Sequence, residues 1–326
     1  MNRRDIIKTG IGSLVAVSAG WPISAQAADW PTKQVRIVVP FAAGSATDMV
    51  PRIVFEQVSQ QTGQTFIVEN RPGGGTTIGS AQVARAEADG YTILVHSNGF
   101  VTVPAIQATV PYDPVKDFTG LTPLGNVPMV LVVAPSKGMT TLKQLVDKAK
   151  AKPGEINYAA AGIGTPPHLT MERFRLAAGF EGQLVPFKGS PEALTEVVAG
   201  RVDMYFCPIS TALQFVKDGK LVALAVSSLT RASALPDVPT TTESGIRDSD
   251  FDFWVGAMVP KKTPADVVAR MHAEIVKALK VPAVQEKLAK IGVEPMIMQS
   301  AAFDTRIAKE VDIAKALAKA AKIEPQ

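Results

Sequence analysis

From residue 35 onward, short apolar runs alternate with segments whose apolar residues recur at helical spacing. The run VRIVV at 35–39 predicts a buried strand, and residues 48–60, with apolar positions on one side, predict a helix. Further strands are predicted at 66–68, 91–96, 130–133, 156–159, 184–187, 204–206 and 222–226. Further helices are predicted at 78–86, 142–150, 168–177 and 192–199. This alternation favours an α/β fold with largely parallel sheets covered by helices.

The C-terminal part is predicted to be helical. Val267, Met271 and Ile275 recur four residues apart and form one buried stripe. We expect Thr263 to cap this helix and Pro264 to occupy its first turn. A second stripe with the same spacing consists of Phe303, Ile307 and Val311.

Two stretches of the chain share one pattern. Residues 35–50 and 156–171 each run from a strand through a small-residue loop with threonine into a helix. Because ligands of open parallel sheets bind at the carboxyl ends of strands, these loops predict two lobes that face a cleft.

The N-terminal segment has the parts of a secretory signal. A basic start is followed by a weakly apolar stretch and by Ala25-Gln26-Ala27, which has the form of a cleavage site. The pair Arg3-Arg4 resembles a twin-arginine signal, although a general signal with two chance arginines stays open. We therefore expect export to a bacterial periplasm, with cleavage near Ala27.

Composition, net charge and cysteine count limit the possible functions of the protein. Hydrophobic residues make up 46% of the 326 residues and charged residues 20%, as in ordinary globular proteins, and the length favours two domains. Loss of residues 1–27 removes three basic residues and one acidic residue, so the formal charge of +4 falls to +2. With no cluster of Lys or Arg, nothing indicates nucleic-acid binding. The single cysteine, Cys207, excludes an internal disulfide.

Motifs of enzymes and metal sites are missing from the sequence. His96, His168 and His272 stand far apart, and no metal-binding, phosphate-loop or nucleophile-elbow motif occurs. The glycines of GGGTTIG at 73–79 lack the spacing of a dinucleotide fingerprint. We expect no catalytic residues, no metal and no cofactor, although a triad of residues scattered along the sequence stays open.

The loop AAGSATD at 42–48 indicates a ligand-binding site more strongly than any of these motifs indicates catalysis. Gly44 permits a tight turn, and the free N–H groups of the following helix turn, with the helix dipole, suit a carboxylate. The alternative is an ordinary helix cap without a ligand. The loop at 159–168, AAAGIGTPPH, repeats this design, and residues 97–99, SNG, form a third polar loop at a strand end.

Several ordered motifs resemble one family. They are VVPFxxGxxTD at 38–48, NRPG at 70–73, DGYT at 89–92, PYDPVKDF at 111–118, KPGxINY at 152–158, FKG at 187–189, GxVD at 200–203 and ALPDVPT at 234–240. Together they resemble the Bug family, the periplasmic solute receptors of tripartite tricarboxylate transporters. The resemblance implies a type II periplasmic binding protein with two Rossmann-like α/β domains around a ligand cleft. It also implies capture of a small carboxylate, domain closure and delivery to the permease subunits of the transporter. We expect the receptor itself to be a monomer, although the sequence does not settle its oligomeric state.

The resemblance also implies domain limits and site residues. Domain 1 would comprise residues 28–126 and 251–326, and domain 2 residues 127–250. The implied ligand-binding residues are Phe41, Ala43, Gly44, Ser45, Thr47, Ser97, Asn98, Ala161, Gly164, Thr165, His168 and Cys207. Pro166, Pro167 and Cys207 depart from the family's more polar pattern, which indicates a less polar distal pocket. An aromatic carboxylate or a longer aliphatic diacid would fit it.

Two rival functions stay open at this point. A secreted enzyme would use Cys207 or His168, and it would consume its ligand. A partner of a membrane sensor would present the ligand to a receptor instead of a permease, on the same fold.

Overall fold

The computed structural model describes residues 30–321 and residue 323. The predicted signal segment lies outside these residues. Within the described part of the chain, no helix is long and apolar enough to cross a membrane.

Ten strands and ten α-helices make up the described structure. The strands are β1 (Val35–Val39), β2 (Phe66–Asn70), β3 (Thr92–Ser97), β4 (Phe118–Asn126), β5 (Met129–Val133), β6 (Asn157–Ala161), β7 (Gln183–Phe187), β8 (Met204–Pro208), β9 (Val222–Val226) and β10 (Trp254–Pro260). The helices are α1 (Ala46–Thr62), α2 (Thr77–Ala84), α3 (Gly99–Thr102), α4 (Leu142–Ala151), α5 (Pro166–Ala178), α6 (Ser190–Val198), α7 (Ile209–Lys217), α8 (Ala265–Leu279), α9 (Pro282–Lys290) and α10 (Ser300–Ala320).

The strands form two five-stranded sheets, ordered β2-β1-β3-β10-β4 and β7-β6-β8-β5-β9. We call the first sheet with its covering helices lobe 1 and the second lobe 2. The chain leaves lobe 1 after β4 and returns to it at β10. The predicted two-lobed α/β fold is confirmed, whereas the predicted domain limits stay a prediction.

Each sheet contains one reversed strand. β10 runs antiparallel to β3 and β4, and β5 runs antiparallel to β8 and β9, while the other strands of each sheet share one direction. Both are the strands at which the chain enters a lobe without a preceding crossover helix. Strands such as β1 and β5 are apolar almost throughout because helices cover both faces of the sheets.

The C-terminal helices pack on lobe 1. α8 lies against α1 and β4, and α10 lies against β4 and α3. Phe303 of α10 is fully buried where Gly120 and Gly256 leave space; a Cβ at either would lie within 2.7 Å of its ring. The predicted Thr263 cap is wrong, because α8 begins at Ala265 and the Thr263 hydroxyl donates to the Pro260 carbonyl.

Candidate functional site

A cavity of about 230 Å³ lies between the two lobes, somewhat smaller than the ~300–1,000 Å³ of drug-sized ligand pockets. It is lined by Phe41, Ala42, Ala43, Gly44, Ser45, Ala46, Thr47, Ser97 and Phe253 from lobe 1 and the segment joining the lobes, and by Ala161, Thr165, Pro166, Pro167, Lys188, Gly189, Ser190, Pro191, Pro208 and Thr211 from lobe 2. Both the β1–α1 loop and the β6–α5 loop therefore face one space.

The N-terminus of α1 forms the lobe 1 side of this cavity. Ser45 is the N-cap, and its Oγ accepts a hydrogen bond from the Asp48 amide at 3.3 Å. The amides of Ala46 and Thr47 have no acceptor among the described residues, as expected for a first helical turn. Gly44 turns the chain with φ +79°, and a Cβ there would meet no atom within 4 Å. An anion can thus approach the helix end closely.

Asp48 holds the β1–α1 loop in shape and does not line the cavity. Its carboxylate accepts from the Gly44 amide at 2.8 Å, from Arg52 Nε at 3.0 Å and from Asn70 Nδ2 at 2.8 Å. Burial alone would raise the pKa of this carboxyl, but the bonds from Arg52, Gly44 and Asn70 hold its pKa below the usual range. The charged carboxylate is therefore neutralised locally and leaves the helix end free to attract an anion.

Three helix N-termini of lobe 2 face the same space, and that of α7 does so through Pro208 and Thr211. Thr165, Pro166 and Pro167 begin α5, and Gly189 and Ser190 begin α6. The two prolines lack N–H groups, so α5 contributes its dipole and apolar surface but fewer donors. The Ser190 hydroxyl is engaged with the buried Tyr205 hydroxyl at 2.9 Å.

The electrostatic character of the cavity favours an anion. Four helix N-termini, those of α1, α5, α6 and α7, meet at its wall, and each carries partial positive charge. Lys188 is the only charged residue of the lining, and its ammonium group has no acidic partner among the described residues. Among the residues that the structure describes, no acidic side chain lines the cavity to oppose the charge of Lys188.

Eight of the predicted ligand-binding residues line the cavity. They are Phe41, Ala43, Gly44, Ser45, Thr47, Ser97, Ala161 and Thr165. Seven of them belong to strand ends or to the loops that follow strands, and Thr47 lies in the first turn of α1.

Four predicted residues lie elsewhere. The Asn98 side chain turns away and donates to the Asp252 carbonyl at 2.7 Å. Gly164 contacts lobe 1, and His168 is buried beneath Gly164 and accepts from its amide at 2.9 Å. Cys207 is fully buried on β8, where its Sγ lies 3.7 Å from the Val130 carbonyl. These four residues do not line this cavity, and their predicted role in ligand binding stays a prediction.

The lining also includes residues that were not predicted. Lys188 follows β7, Pro208 and Thr211 surround the start of α7, and Phe253 precedes β10. The FKG motif at 187–189 was the one signal that could have indicated Lys188. Pro208 and Phe253 carry no such signal, because only the fold brings them to the cleft.

Cys207, His96 and His168 are buried side chains that are not poised for catalysis at neutral pH. Burial raises the pKa of the Cys207 thiol far above its ordinary value, so no thiolate forms at neutral pH. Burial lowers the pKa of His96 to about 3 and also lowers the pKa of His168. Among residues 30–321 and 323, no group of three or more His, Cys, Asp or Glu could hold a metal ion.

Sequence comparison finds relatives along most of the chain. The sequence profile of the tripartite tricarboxylate transporter family receptors matches residues 50–323. A UPF0065 protein from the tcbD-tcbE intergenic region of Pseudomonas sp. strain P51 is 38% identical over 266 residues, which cover 81% of this chain and 79% of that protein.

Two solved structures that share the fold are complexes with a carboxylate. Rpa4515 of R. palustris, with adipate, has a TM-score of 0.85 and 31% identity, covering 91% of this chain and 100% of that one. MatC from Rhodopseudomonas palustris, with bound malate, has a TM-score of 0.79 and 27% identity, covering 88% and 99%. The periplasmic binding protein BugD also shares the fold, with a TM-score of 0.79 and 34% identity, covering 91% of this chain and 100% of that one. The family consists of periplasmic binding receptors and not of enzymes. The chain belongs to the tripartite tricarboxylate transporter receptor family, the Bug family that its motifs predicted.

Proposed function

We propose that this receptor captures a small carboxylate, either a dicarboxylate or an aromatic carboxylate, in the cleft between its lobes. It does so in the periplasm after export, and it delivers the ligand to the permease of a tripartite tricarboxylate transporter. One observation carries the proposal: four helix N-termini meet at a cavity where Lys188 is the only charged lining residue in the described part of the chain.

One carboxylate is expected at the N-terminus of α1. The amides of Ala46 and Thr47 supply donors there, and Gly44 leaves the approach open. The charge of Asp48 is already satisfied by its own partners, so it does not repel the ligand.

The rest of the ligand is expected to be largely apolar with an anionic end. Phe41, Phe253, Pro166, Pro167 and Pro208 supply apolar surface to the lining. This surface suits a methylene chain or an aromatic ring better than the hydroxyl group of malate. Lys188 stands in lobe 2 and would attract a second carboxylate, which favours an aliphatic diacid. The adipate described for the R. palustris relative is a diacid of this kind.

A thermal-shift screen tests the ligand class. The protein is unfolded and refolded to remove carried ligand, then heated with adipate, malate, citrate and benzoate. A ligand at 100 times its dissociation constant adds about 2.7 kcal/mol to the free energy of unfolding. We expect the largest shift with adipate or benzoate. A shift with none of the four would contradict the proposed ligand class.

A gene deletion tests delivery. Cells without this receptor should lose uptake of the ligand that gives the shift, and an intact copy should restore the uptake. Unchanged uptake together with a lost transcriptional response would instead assign the protein to a membrane sensor.

A further inference from the structure

The β6–α5 loop, residues 162–165, reaches across the cleft and touches lobe 1. The Thr102 hydroxyl donates to the Gly164 carbonyl at 3.1 Å, and Thr102 is buried. Ile106 of lobe 1 lies directly on Gly164: a Cβ at position 164 would stand 1.5 Å from Ile106 Cδ1. Only glycine permits this approach, so the contact depends on both residues.

His168 holds the loop in this shape. Its Nδ1 accepts from the Gly164 amide at 2.9 Å, while Gly164 adopts φ +72°. An accepting Nδ1 must be unprotonated, and burial lowers the pKa of His168 in agreement with this, against a raising effect of Glu172. His168 is therefore a positioning residue, since it contacts the loop and does not line the cavity.

The same loop also belongs to the ligand cavity. Thr165 lines the cavity, and its hydroxyl donates to the Gly162 carbonyl at 2.8 Å, which closes the loop on itself. Pro166 follows immediately and also lines the cavity. A ligand that touches Thr165 or Pro166 therefore acts on the segment that carries the contact between the lobes.

We propose that residues 162–165 form a latch that engages Thr102 and Ile106 when ligand closes the cleft. The inference rests on the proposed function, because the latch would couple binding of the ligand to closure of the two lobes. Contacts made only in the closed state shift the equilibrium toward it. Dissociation of the ligand then requires the Thr102–Gly164 hydrogen bond and the Ile106 contact to break first.

A disulfide placed across the latch tests the contact. A Cβ at position 164 would lie 3.6 Å from the Ile106 Cβ, within the ~3.5–4.5 Å of disulfides. The variant Ile106→Cys/Gly164→Cys is oxidised with oxidised glutathione, with and without adipate, and the linked peptide is followed by mass spectrometry. Cys207 is fully buried and is not expected to compete. The two single variants and the pair Gly164→Cys/Thr305→Cys serve as controls.

The latch predicts a disulfide in the first pair only, formed faster with adipate. No disulfide in the folded variant, or the same rate when adipate is bound, would overturn it. Calorimetry on the parent separates the two proposals. If the parent protein does not bind adipate, adipate is not the ligand. The disulfide that forms without ligand then decides alone whether position 164 contacts position 106.

A milder variant covers the case in which the cysteine pair does not fold. Thr102→Val keeps the side-chain volume and removes one hydrogen bond, so adipate affinity should fall roughly 3- to 10-fold. Thr305→Val makes the same change on an exposed face of α10, where the hydroxyl bonds only to Ala301, and should leave affinity unchanged. Equal affinities for the parent and Thr102→Val would contradict the latch.

Discussion

Acid should destabilise this protein through His96, a fully buried residue directly behind the cavity. Its Nδ1 donates to the Ser97 carbonyl at 2.8 Å, and its Nε2 has no partner among the described residues. Its ring packs edge-on against Phe41, which lines the cavity, with ring centres 5.0 Å apart. Protonation would place a charge among these rings with no acceptor for the new proton.

The size of the effect follows from the two pKa values. Burial lowers the pKa of His96 from 6.5 to about 3, only partly offset by the bond to Ser97. Between these values the unfolded chain binds one proton more than the folded chain. The stabilisation is complete above pH 6.5 and is lost as the pH falls, by about 1.4 kcal/mol per pH unit. From pH 7.5 to pH 5 the loss is about 2 kcal/mol.

Urea unfolding at pH 7.5 and pH 5 measures this loss, with His96→Gln as the comparison. The glutamine does not titrate, and other groups, including His168, contribute to both proteins. The parent should lose about 2 kcal/mol more than the variant over this range. Equal losses in both proteins would refute the reasoning, because His96 would then titrate alike in the folded and unfolded states.

Two further substitutions address the ligand. Lys188→Met should weaken adipate binding roughly 5-fold in calorimetry and leave the monomethyl ester of adipate unaffected; equal losses for both ligands would show that Lys188 does not meet the second carboxylate. Gly44→Val should reduce adipate affinity more than 10-fold, because the side chain occupies the approach to α1. Gly138→Val is the matched control, because Gly138 has a φ of +69° and equally open space around it. Both variants should therefore lose a similar ~1–2 kcal/mol of stability. If Gly138→Val lowered adipate affinity as much as Gly44→Val, the proposed site would be contradicted.

Local patterns predicted the parts of the site that lie on one stretch of chain. The β1–α1 loop was predicted because strand, small-residue loop and helix start are adjacent in sequence. The same holds for Ala161 and Thr165 before α5. Such features depend on backbone donors and helix ends, which a short sequence window specifies.

Other parts of the site depend on contacts between distant segments. Phe253 and Pro208 reach the cleft only because β10 and β8 take their places in the two sheets. His168 looked like a ligand contact from its position after the loop. Its burial and its bond to Gly164 depend on how α5 packs, which the sequence pattern does not contain.

The sequence pattern did not predict the strands β4 and β10, for a related reason. Their sequences contain Gly120, Pro123 and Gly256, which weaken a strand pattern. The two glycines are there because Phe303 of α10 packs against the sheet at those positions. Phe303, nearly two hundred positions after β4, thus explains why a strand contains a glycine that is unfavourable for strand formation.

The most direct measurement follows the backbone amides at the start of α1 by nuclear magnetic resonance. ¹⁵N-labelled receptor, freed of carried ligand, is titrated with adipate, or with the carboxylate that gives the largest thermal shift. If the helix N-terminus holds the carboxylate, the amide resonances of Ala46 and Thr47 should shift strongly downfield in step with binding, while that of Gly138 should not move. Tight binding that leaves the Ala46 and Thr47 resonances unchanged would contradict the account.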